Sequence, residues 1–470
     1  MKETCKAEKT LKLYSAGTLR YTMPKLILAC FWILFAILSL NLLAYKMVPT
    51  MMPILLDHRN VSSAAMALIL GTIPSAMNFF ICPFISTLSD KTRTRLGRRI
   101  PYLAASTPFV VLFMVLVAFE PDITGFLHRL TGYPVNAVGF SVLVVLTLLF
   151  QLAYLIPGAI VYYIYADVIP KQFIGTFMGV STFFGTGVTF VFNYFILEPA
   201  IREPKFWFPL IGGLYFTAFT LLCLFVKEGK YPPVTDRVET KEGVLKKAKE
   251  YIQLYFRECY SHRIFTMLFI TTGLTQASCI CRNMFNLLFA TKELGMTAGE
   301  YGKVIAWGSL VAAVVVLPIG RIMDKVHPIR VFLFSGFVVI VMNFWGYFFV
   351  HDAKSFTIIG ISIALIYAIQ FLSMTPLLIA LVPTEKFGQF SSANSMINCL
   401  IMLFASYLGG FCTDLFGYRM IFVWDFILTV AATGTLLFVF HEWQKFGGQK
   451  HYVPPAVNGS REMSRAVQTE

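Results

Sequence analysis

The stretch that decides the fold is residues 89–99, which read SDKTRTRLGRR. It places one acid and five bases in a short gap between two long apolar runs, residues 61–88 and 100–119. Each run is long enough to cross a bilayer, which takes about 20 apolar residues. The stretch is therefore predicted to be the loop of a helical hairpin in a membrane, and its bases predict a cytoplasmic position.

The composition of the whole chain indicates a polytopic helical membrane protein. Of its 470 residues, 57% are hydrophobic and 14% are charged, whereas a soluble protein carries about 25% charged residues. A net charge of +14 would suggest a nucleic-acid partner in a soluble chain. Here we assign the bases to cytoplasmic anchoring against anionic lipid headgroups, and nucleic acid is not expected. The nine cysteines are scattered and form no metal-ligand pattern, so no metal or other cofactor is expected.

Twelve apolar segments are predicted to be membrane spans in an all-α fold. In chain order they are roughly residues 25–48, 61–88, 100–119, 137–166, 173–197, 206–226, 263–290, 301–320, 330–350, 356–382, 389–411 and 419–440. With the N-terminus inside, the inner segments hold 29 of the 39 Lys and Arg residues. This bias predicts that both termini are cytoplasmic, and we expect the chain in the inner or plasma membrane of the cell.

The longest polar interruption follows the sixth span and separates two groups of six spans. The predicted parts are a cytoplasmic N-terminal segment 1–24, an N-terminal six-helix bundle 25–226, a cytoplasmic linker 227–262, a C-terminal six-helix bundle 263–440 and a cytoplasmic tail 441–470. Within the linker, apolar residues recur at helical spacing from Val244 to Tyr255. This spacing predicts an amphipathic helix on the inner membrane surface, and a plain linker is the alternative.

The two halves of the chain repeat two short patterns at corresponding places. The pattern at residues 86–91, after the second span, returns at residues 320–325, after the eighth. The pattern at residues 170–175, after the fourth span, returns at residues 383–388, after the tenth. These matches predict a duplicated six-helix unit with pseudo-symmetry, an architecture that is typical of transporters with a solute site at midplane between the halves.

The loop between spans two and three is similar to the signature loop of the major facilitator superfamily. Its longer form, residues 89–101 with Asp90, Gly97, Arg98 and Arg99, resembles the loop of the glycoside–pentoside–hexuronide:cation symporters and the related sucrose transporters. The resemblance implies two six-helix bundles, alternating access and a sugar-like solute. Coupled members of that group carry acids within the first, second or fourth span. Here the predicted first two spans carry none, which argues against sodium coupling and weakens the case for proton coupling.

The resemblance also implies a gating role for Asp90, which would contact the cytoplasmic end of span eleven near residues 388–392. A helix N-terminus attracts a carboxylate, so this contact is physically reasonable. Asp324 would act in the same way in the second half. The alternative is a solvated loop ion pair worth about 0–1 kcal/mol. The candidate gating residues are Asp90, Lys91, Arg93, Arg95, Gly97, Arg98, Arg99, Asp167, Asp324 and Lys325.

Polar residues inside the predicted spans are the candidates for the solute site, because they are costly in lipid and usually face a cavity. Amides donate and accept hydrogen bonds, and aromatic faces suit the apolar face of a sugar ring, so the set favours a neutral, sugar-like solute. The alternative for each residue is an interhelical hydrogen bond that packs the bundle. The candidate substrate-binding residues are Asn41, Gln151, Tyr154, Gln276, Arg282, Asn283, Asn286, Gln370, Asn394 and Asn398.

Arg282 is the only base that the predicted spans place well inside the membrane, and Asp425 of span twelve is the only acid clearly within one. Arg282 could clamp a carboxylate or hydroxyls, or it could pair with Asp425. Asp167 lies at the cytoplasmic end of span four. If protons are coupled to transport, Asp167 and Asp425 are the candidate coupling residues.

The leading functional hypothesis is a secondary transporter, active or facilitative, that moves a small neutral, sugar-like solute by rocking of its two halves. The alternatives are an efflux transporter of amphipathic compounds and a membrane sensor that binds a ligand without flux. The chain contains no P-loop pattern and no HExxH motif, so ATP-driven transport is unsupported and an enzyme is not expected. We expect a monomer whose partners are the solute, membrane lipids and, if transport is coupled, a proton.

Overall fold

The structure is a computed structural model that describes residues 14–16, 18–229, 255–260, 262–383 and 386–455. Within these ranges twelve long helices, α1 to α12, follow one another along the chain. Helices α1 to α6 are Met23–Asp57, 63–91, Ile100–Ala118, Val135–Val168, 171–202 and Pro204–Phe225. Helices α7 to α12 are Arg263–Glu293, Ala298–Val326, Pro328–Phe349, Ala353–Leu381, Phe387–Phe416 and Met420–Lys445.

The long helices have the dimensions of membrane spans. In the described part of the chain, eleven of them are long and apolar enough to cross a membrane by length and composition. The remaining one, α8, has 29 residues, and its central residues 304–320 carry no charged side chain. A span needs about 17–25 apolar residues, so α8 also qualifies by the length of this stretch. The predicted all-α polytopic fold is confirmed.

The helices form two pseudo-symmetric bundles of six. In the N-terminal bundle, α1 packs on α6, and α3 packs on both α4 and α6. In the C-terminal bundle, α7 packs on α11 and α12, and α9 packs on α10 and α12. The bundles meet where α2 contacts α11 and where α5 contacts α8. Helix α2 corresponds to α8 in the second half and α5 corresponds to α11, so the two contacts are equivalent by the pseudo-symmetry. A duplicated six-helix unit requires this equivalence.

Each helix has an inner end and an outer end, defined by the side of the molecule on which they lie. We call inner the side of the start of α1 and of the loop at residues 92–99, because the charge bias predicts this side to be cytoplasmic. The outer side carries the end of α1 and the start of α2. A short helix, Glu120–Thr131, lies there between α3 and α4 and was not predicted.

Four of the helices contain a π-helical turn, and each turn lies in the outer half of its helix. The turns are Asn41–Met47 in α1, Leu68–Thr72 in α2, Phe192–Ile196 in α5 and Phe289–Glu293 in α7. π-Helical turns inside α-helices are rare and are frequent at functional sites. Two of these four helices, α2 and α5, are the helices of the N-terminal bundle that contact the C-terminal bundle through α11 and α8.

Helix α1 is longer than predicted, because it continues past residue 48 to Asp57. The predicted end at residue 48 lies between Lys46 and Pro49, whereas the helix passes both Pro49 and Pro53. Pro49 lies in the first turn of the segment that follows the π-helical turn, where a missing N–H is tolerated. The extension matters for the site, because it moves Lys46 from the edge of the predicted span into its interior.

The terminal segments and the linker are described only in part. Residues 14–21 contain a two-stranded antiparallel hairpin, β1 Tyr14–Ala16 and β2 Leu19–Tyr21. The amphipathic helix predicted from Val244 to Tyr255 lies outside the described residues except for Tyr255, because the structure describes only residues 227–229 and 255–260 of that region. The predicted N-terminal segment before residue 14 and the tail after residue 455 also lie outside them.

Candidate functional site

The loop at the inner end of α2 is held by the end of α4. Arg98 donates to both carboxylate oxygens of Asp167, at 2.5 and 3.2 Å, and Arg99 Nε donates to Asp167 Oδ2 at 3.2 Å. Arg99 also donates to Ser89 Oγ at 2.7 Å, and its guanidinium lies over the ring of Tyr163. Asp167, Arg98 and Arg99 are thus brought together within the N-terminal bundle.

A second carboxylate, Glu228, fixes the same loop and was not found by sequence reasoning. Its oxygens accept hydrogen bonds from the backbone N–H groups of Arg98, Arg99 and Ile100, each at 2.8 Å. These N–H groups begin α3 and have no partner within the helix, so a carboxylate stabilises them and the helix dipole. Gly97 has a φ of +118°, and a Cβ there would lie 2.7 Å from the Glu228 side chain, which explains the glycine.

The rest of the candidate gating set is less connected in the described structure. Arg93 and Arg95 are exposed, and Arg93 donates to the carbonyl of Thr92 at 2.8 Å. Lys325 is exposed at the inner end of α8. The side chains of Asp90, Lys91 and Asp324 lie outside the described structure, so the contact between Asp90 and the start of α11 stays a prediction.

An ion pair lies at the centre of the C-terminal bundle. Arg282 Nε of α7 donates to Asp425 Oδ2 of α12 at 2.7 Å, and Arg282 Nη2 donates to Asn343 Oδ1 of α9 at 2.6 Å. The Asp425 side chain is 0% exposed and that of Arg282 is 11% exposed. Of the two alternatives open for Arg282, the structure contains the pair with Asp425. The hydroxyl of Tyr367 in α10 lies beside Asp425, but neither it nor Asp425 Oδ1 meets hydrogen-bond geometry with a partner among the described residues.

Several predicted amides are buried within the C-terminal bundle. The hydroxyl of Thr272 in α7 donates to Asn394 Oδ1 at 2.5 Å and lies 3.1 Å from Asn398 Oδ1 in α11. Asn286 Nδ2 donates to the hydroxyl of Tyr301 in α8 at 3.4 Å. Gln370 in α10 is also buried. The bonds of Asn394, Asn398 and Asn286 match interhelical hydrogen bonds that pack membrane helices.

The other predicted residues are not buried within a bundle. Asn283 is exposed, and Asn41, Gln151, Tyr154 and Gln276 are half-buried. Helix α7 is interrupted at Cys279, between its segments Arg263–Ser278 and Ile280–Leu288. Both Asn283 and Asn286 lie in the second segment, but Asn283 is exposed and Asn286 is buried. The five residues come from α1, α4 and α7, and their position at a solute site between the bundles stays a prediction.

Aromatic contacts join α1 and α4 within the N-terminal bundle. The ring of Tyr154 stacks on Phe150, with centroids 6.1 Å apart, and meets the ring of Tyr45 edge-on at 6.3 Å. Tyr45 belongs to the π-helical turn of α1, so this contact joins α1 to α4. Asn41 belongs to the same turn and lies close to Gly185 of α5. A Cβ atom added at Gly185 would be 3.8 Å from Asn41 Nδ2.

Lys46 is the residue of this region that sequence reasoning missed. The expectation that Arg282 is the only base well inside a span is wrong, because α1 continues to Asp57 and Lys46 lies eleven residues before that end. Lys46 is half-buried. Lys46 therefore places a positive charge in the same π-helical turn as Asn41 and Tyr45.

The outer ends of the two bundles are joined. Lys292 of α7 forms an ion pair with Asp57 of α1, and Asp414 of α11 accepts hydrogen bonds from the backbone at the start of α2. A Cβ at Gly410 of α11 would lie 2.4 Å from the carbonyl oxygen of Ser63 in α2, and one at Gly302 of α8 would lie 2.2 Å from that of Asn193 in α5. The backbones touch at both contacts, which closes the space between the bundles at its outer end.

Two apolar grooves in the described structure lie away from these polar residues. One of about 380 Å³ lies between the short helix Glu120–Thr131 and the start of α4. The other, of about 370 Å³, lies among α2, α11 and residues 256–260. Neither includes a predicted substrate-binding residue, so the polar residues between the bundles remain the candidate site.

Comparison with known proteins agrees with this architecture. The sequence matches the model of the MFS_1 like family over residues 27–348 and the model of the Major Facilitator Superfamily over residues 268–451. No match was found among curated proteins.

Similar solved structures include a bacterial homolog to the human lysosomal transporter Spinster, in an inward-facing and unoccupied conformation, at 13% identity with 93% of this chain and 100% of that chain covered and a TM-score of 0.70. A mutant of the nucleoside transporter NupG is 9% identical, with 88% of this chain and 100% of that chain covered and a TM-score of 0.63. A D-xylose-proton symporter is 13% identical, with 92% and 97% covered and a TM-score of 0.60. At these identities the likeness shows the fold. Because a family model matches more than half of its length, this chain belongs to the Major Facilitator Superfamily of membrane transporters.

Proposed function

We propose that this chain carries a small, sugar-like solute across the membrane by alternating access between its two bundles. The observation that carries the proposal is the separation of the polar residues into two groups. Asn394, Asn398 and Asn286 bond to other helices of their own bundle. Gln151 and Gln276 are half-buried and bond to no helix of the other bundle in the described structure, and we expect them to face the space between the bundles, where amides can exchange hydrogen bonds with solute hydroxyls.

The closed outer end supports the alternating-access part of the proposal. In a carrier of this architecture the solute site is exposed to one side at a time. Here Asp57 and Lys292, and Asp414 and the start of α2, join the bundles at the outer end. Solute release and entry would occur at the inner side in this state, and the outer contacts would break when the carrier reorients.

The sugar-like character of the solute rests on the loop at residues 89–101 and on the tyrosines. The loop resembles that of the glycoside–pentoside–hexuronide:cation symporters and sucrose transporters, and we propose this branch for the chain. Tyr154 and Tyr45 contact each other edge-on, and we expect their rings to face the space between the bundles. Stacking against aromatic rings suits the apolar face of a sugar. The expectation of a neutral solute rests on the amides and aromatic rings of the candidate set, and Lys46 is a positive charge that this expectation did not include.

Proton coupling would depend on Asp425 rather than on Asp167. Asp167 is held by Arg98 and Arg99 at the inner end of α4, outside the space between the bundles. Asp425 lies inside the C-terminal bundle and is paired with Arg282, which is one of the candidate substrate-binding residues. Protonation of Asp425 would release Arg282, so it is the acid through which a proton could act on the site.

The proposal includes the orientation and the division of the chain. Both termini lie in the cytoplasm, and the protein lies as a monomer in the inner or plasma membrane. Its parts are the segment 1–24, the bundles 25–226 and 263–440, the linker 227–262 and the tail 441–470. Protease access to a tag at either terminus, in sealed cells and in inverted vesicles, tests the orientation directly.

The experiment that tests the function is uptake of labelled mono- and disaccharides, neutral and acidic, into proteoliposomes that contain the purified chain. Each sugar is measured with and without an imposed inward proton gradient. Equilibration without accumulation indicates a facilitator, and accumulation that a protonophore abolishes indicates symport and directs attention to Asp425. The absence of uptake for every sugar of the panel contradicts the sugar-like assignment.

A further inference from the structure

The apolar groove among α2, α11 and residues 256–260 is built by both bundles, and its volume is about 370 Å³. Because α2 and α11 form one of the two contacts between the bundles, the groove lies along the boundary of the two halves. We call it the boundary groove. It is lined by Phe79 of α2, by Met396, Ile397 and Leu400 of α11, and by Phe256 and Tyr260 of the segment before α7.

The boundary groove lies in the inner half of the two helices. Phe79 is twelve residues before the inner end of α2 at Lys91, and Leu400 is thirteen residues after the inner start of α11 at Phe387. At about 1.5 Å per residue, both are about 18–20 Å from the inner ends of their helices. One leaflet of a bilayer contributes about 15 Å of hydrocarbon, so the groove extends from the inner surface to about the middle of the membrane.

The lining of the groove suits a hydrocarbon chain. Phe256 and Leu400 are each 45% exposed, although both are large apolar side chains. The hydroxyl of Tyr260 is the one hydroxyl among the six lining side chains, and it donates to the backbone carbonyl of Ala393 at 3.1 Å. A hydroxylated solute would find few hydrogen-bonding groups here, whereas an apolar chain would remove the exposed apolar surface from water. The groove therefore differs in chemistry from the candidate solute site.

The inner mouth of the groove is held in place by hydrogen bonds between residues 255–260 and the start of α11. Glu258 accepts a hydrogen bond from Lys386 at 2.7 Å and another from Gln389 at 2.9 Å. These contacts fix one wall of the groove on the C-terminal bundle, while α2 provides the opposite wall on the N-terminal bundle. The width of the groove therefore depends on how the two bundles are placed.

Two bases lie beside the inner mouth of the groove. Arg257 follows Phe256 in the chain, Arg263 begins α7, and both are exposed. Among the residues that the structure describes, neither arginine has an acidic partner, whereas the acid between them, Glu258, is paired with Lys386. The mouth therefore carries two uncompensated positive charges at the membrane surface, where the headgroups of anionic lipids attract such residues.

From these observations we propose that the boundary groove binds an acyl chain of an anionic phospholipid of the inner leaflet, with the lipid phosphate at Arg257 and Arg263. The bilayer surrounds the groove on its open side, so lipid is the molecule available to fill it. The apolar lining favours the chain, and the two bases favour the negative headgroup. This site goes beyond the proposed transport function, because it binds a component of the membrane and shares no residue with the candidate solute site.

A lipid in the groove would favour the state in which the outer side is closed. Asp414 joins α11 to the start of α2 at the outer end, while the groove lies between the inner halves of the same two helices. When the carrier opens outward, the inner ends of α2 and α11 would approach each other and narrow the groove. A ligand that binds one state better shifts the population toward that state. This effect rests on the proposed alternating access, whereas the lipid site itself does not.

The first test maps the lipid on the unmodified, full-length protein. The chain is placed in nanodiscs of dioleoyl phosphatidylcholine that contain a trace of phosphatidylglycerol, or of phosphatidylcholine, with a photoreactive diazirine in the middle of one acyl chain. After illumination, the labelled peptides are identified by mass spectrometry. We expect labels concentrated on residues 396–400 and on Phe79, about tenfold or more of them with the phosphatidylglycerol probe. Labels distributed over the exposed faces of all spans would overturn the site.

Two variants separate the acyl chain from the headgroup. Leu400→Trp fills the groove and should remove the labels of both probes, while Arg257→Gln combined with Arg263→Gln should keep the labels and remove the preference for phosphatidylglycerol. Leu415→Trp is the control for the first, because Leu415 is exposed at the outer end of the same helix. Lys25→Gln is the control for the second, because Lys25 is an exposed base at the inner start of α1. An undiminished preference in the double variant overturns the assignment of the headgroup to the two arginines.

The second test measures the effect of the lipid on the state of the carrier. Ser406→Cys, at a position buried between α11 and α2, is labelled by an impermeant thiol reagent from the outer side of oriented proteoliposomes. Replacing phosphatidylcholine by phosphatidylglycerol should lower the labelling rate about fivefold or more, and Leu400→Trp should abolish the difference. An equal rate in both lipids contradicts the conformational effect. Absence of sugar uptake contradicts the proposed transport function and leaves the lipid site unaffected.

Discussion

The carboxylate of Asp414, at the outer end of α11, accepts a hydrogen bond of 2.6 Å from the backbone N–H of Ser63, at the outer start of α2. A second bond of 2.8 Å comes from the N–H of Ala64. The first N–H groups of a helix lack partners within it, and the helix dipole favours a negative charge there. Because α2 and α11 are antiparallel, the predicted contact of Asp90 with the start of α11 would be the same arrangement at the inner end.

This relationship predicts that Asp414 holds the outer side closed. Asp414→Asn should weaken both bonds and raise the outward-open population about tenfold or more, since hydrogen bonds to charged groups contribute about 1.5–3 kcal/mol. The measurement is labelling of Ser406→Cys, a position buried between α11 and α2, by an impermeant thiol reagent from the outer side. Asp122→Asn is the control, because Asp122 is an exposed outer acid paired with Lys205 within one bundle. An unchanged labelling rate in Asp414→Asn contradicts the prediction.

Asp90 is predicted to act at the opposite end of the same two helices. Asp90→Asn should lower the maximal transport rate more than the solute affinity, because it destabilises one state of the cycle without touching the site. Combining it with Asp414→Asn should recover part of the rate, since both states then lose a contact of the same kind. Initial uptake rates over a range of solute concentrations give both constants, and a rate unchanged by Asp90→Asn would sink the gating role.

The ion pair of Arg282 and Asp425 leads to a prediction about the stability of the folded protein. Removing one partner should lower the stability strongly, and replacing both partners with apolar residues should lower it less. Removing one partner of a buried ion pair costs about 3–5 kcal/mol, because the other charge is left unpaired. Asp425→Asn and Arg282→Met should therefore each lower the thermal midpoint in detergent strongly, and the double variant Arg282→Met with Asp425→Leu should lower it less than either. Additive losses in the double variant would show that the two side chains do not act as a pair.

A carboxylate outside the spans predicts a pH dependence of stability. Glu258 accepts hydrogen bonds from Lys386 at 2.7 Å and Gln389 at 2.9 Å, joining residues 255–260 to the start of α11. Burial raises the pKa of Glu258, but these hydrogen bonds and the charge of Lys386 outweigh it and hold the pKa below the ordinary value of 4.5. A depressed pKa contributes stability that is present above the ordinary value and is lost as the pH falls through the lowered one.

The thermal midpoint of the unmodified protein should accordingly exceed that of Glu258→Gln at neutral pH. The difference should shrink as the pH falls below about 4.5. Glu442→Gln serves as the control, because Glu442 pairs with the exposed Lys445 on the surface of α12 and such pairs contribute about 0–1 kcal/mol. A difference that is constant from pH 7 to pH 4 would rule out the ionised carboxylate as its cause.

The fold could be read from the sequence because the bilayer restricts the solutions. Long apolar runs must be helices in lipid, and the basic loop at residues 89–99 sets the side on which they turn. Helix ends were less certain, and α1 shows why. The predicted first span ended near Lys46, Pro49 and Pro53, which are residues typical of a helix end. The helix instead passes through a π-helical turn at Asn41–Met47 and continues to Asp57.

The contacts of the site depend on residues that are distant in the sequence. Glu228 bonds to Arg98 across 130 positions, and Asp414 bonds to Ser63 across 351. No periodicity or local spacing indicates such partners. The amides show the same limit, because Asn398 and Gln276 have similar positions along their spans, but only the packing of α7 on α11 decides that Asn398 faces Thr272.

The most direct test of alternating access is a reversible cross-link across the outer contact of α1 and α7. Asp57→Cys and Lys292→Cys replace an ion pair that joins the two bundles, and Asp122→Cys and Lys205→Cys replace one within the N-terminal bundle. A short, cleavable thiol cross-linker applied to the first pair should abolish solute uptake, which a reducing agent should restore, while the second pair should transport normally when cross-linked. Undiminished uptake with the first pair fully cross-linked would contradict transport by opening of the outer side.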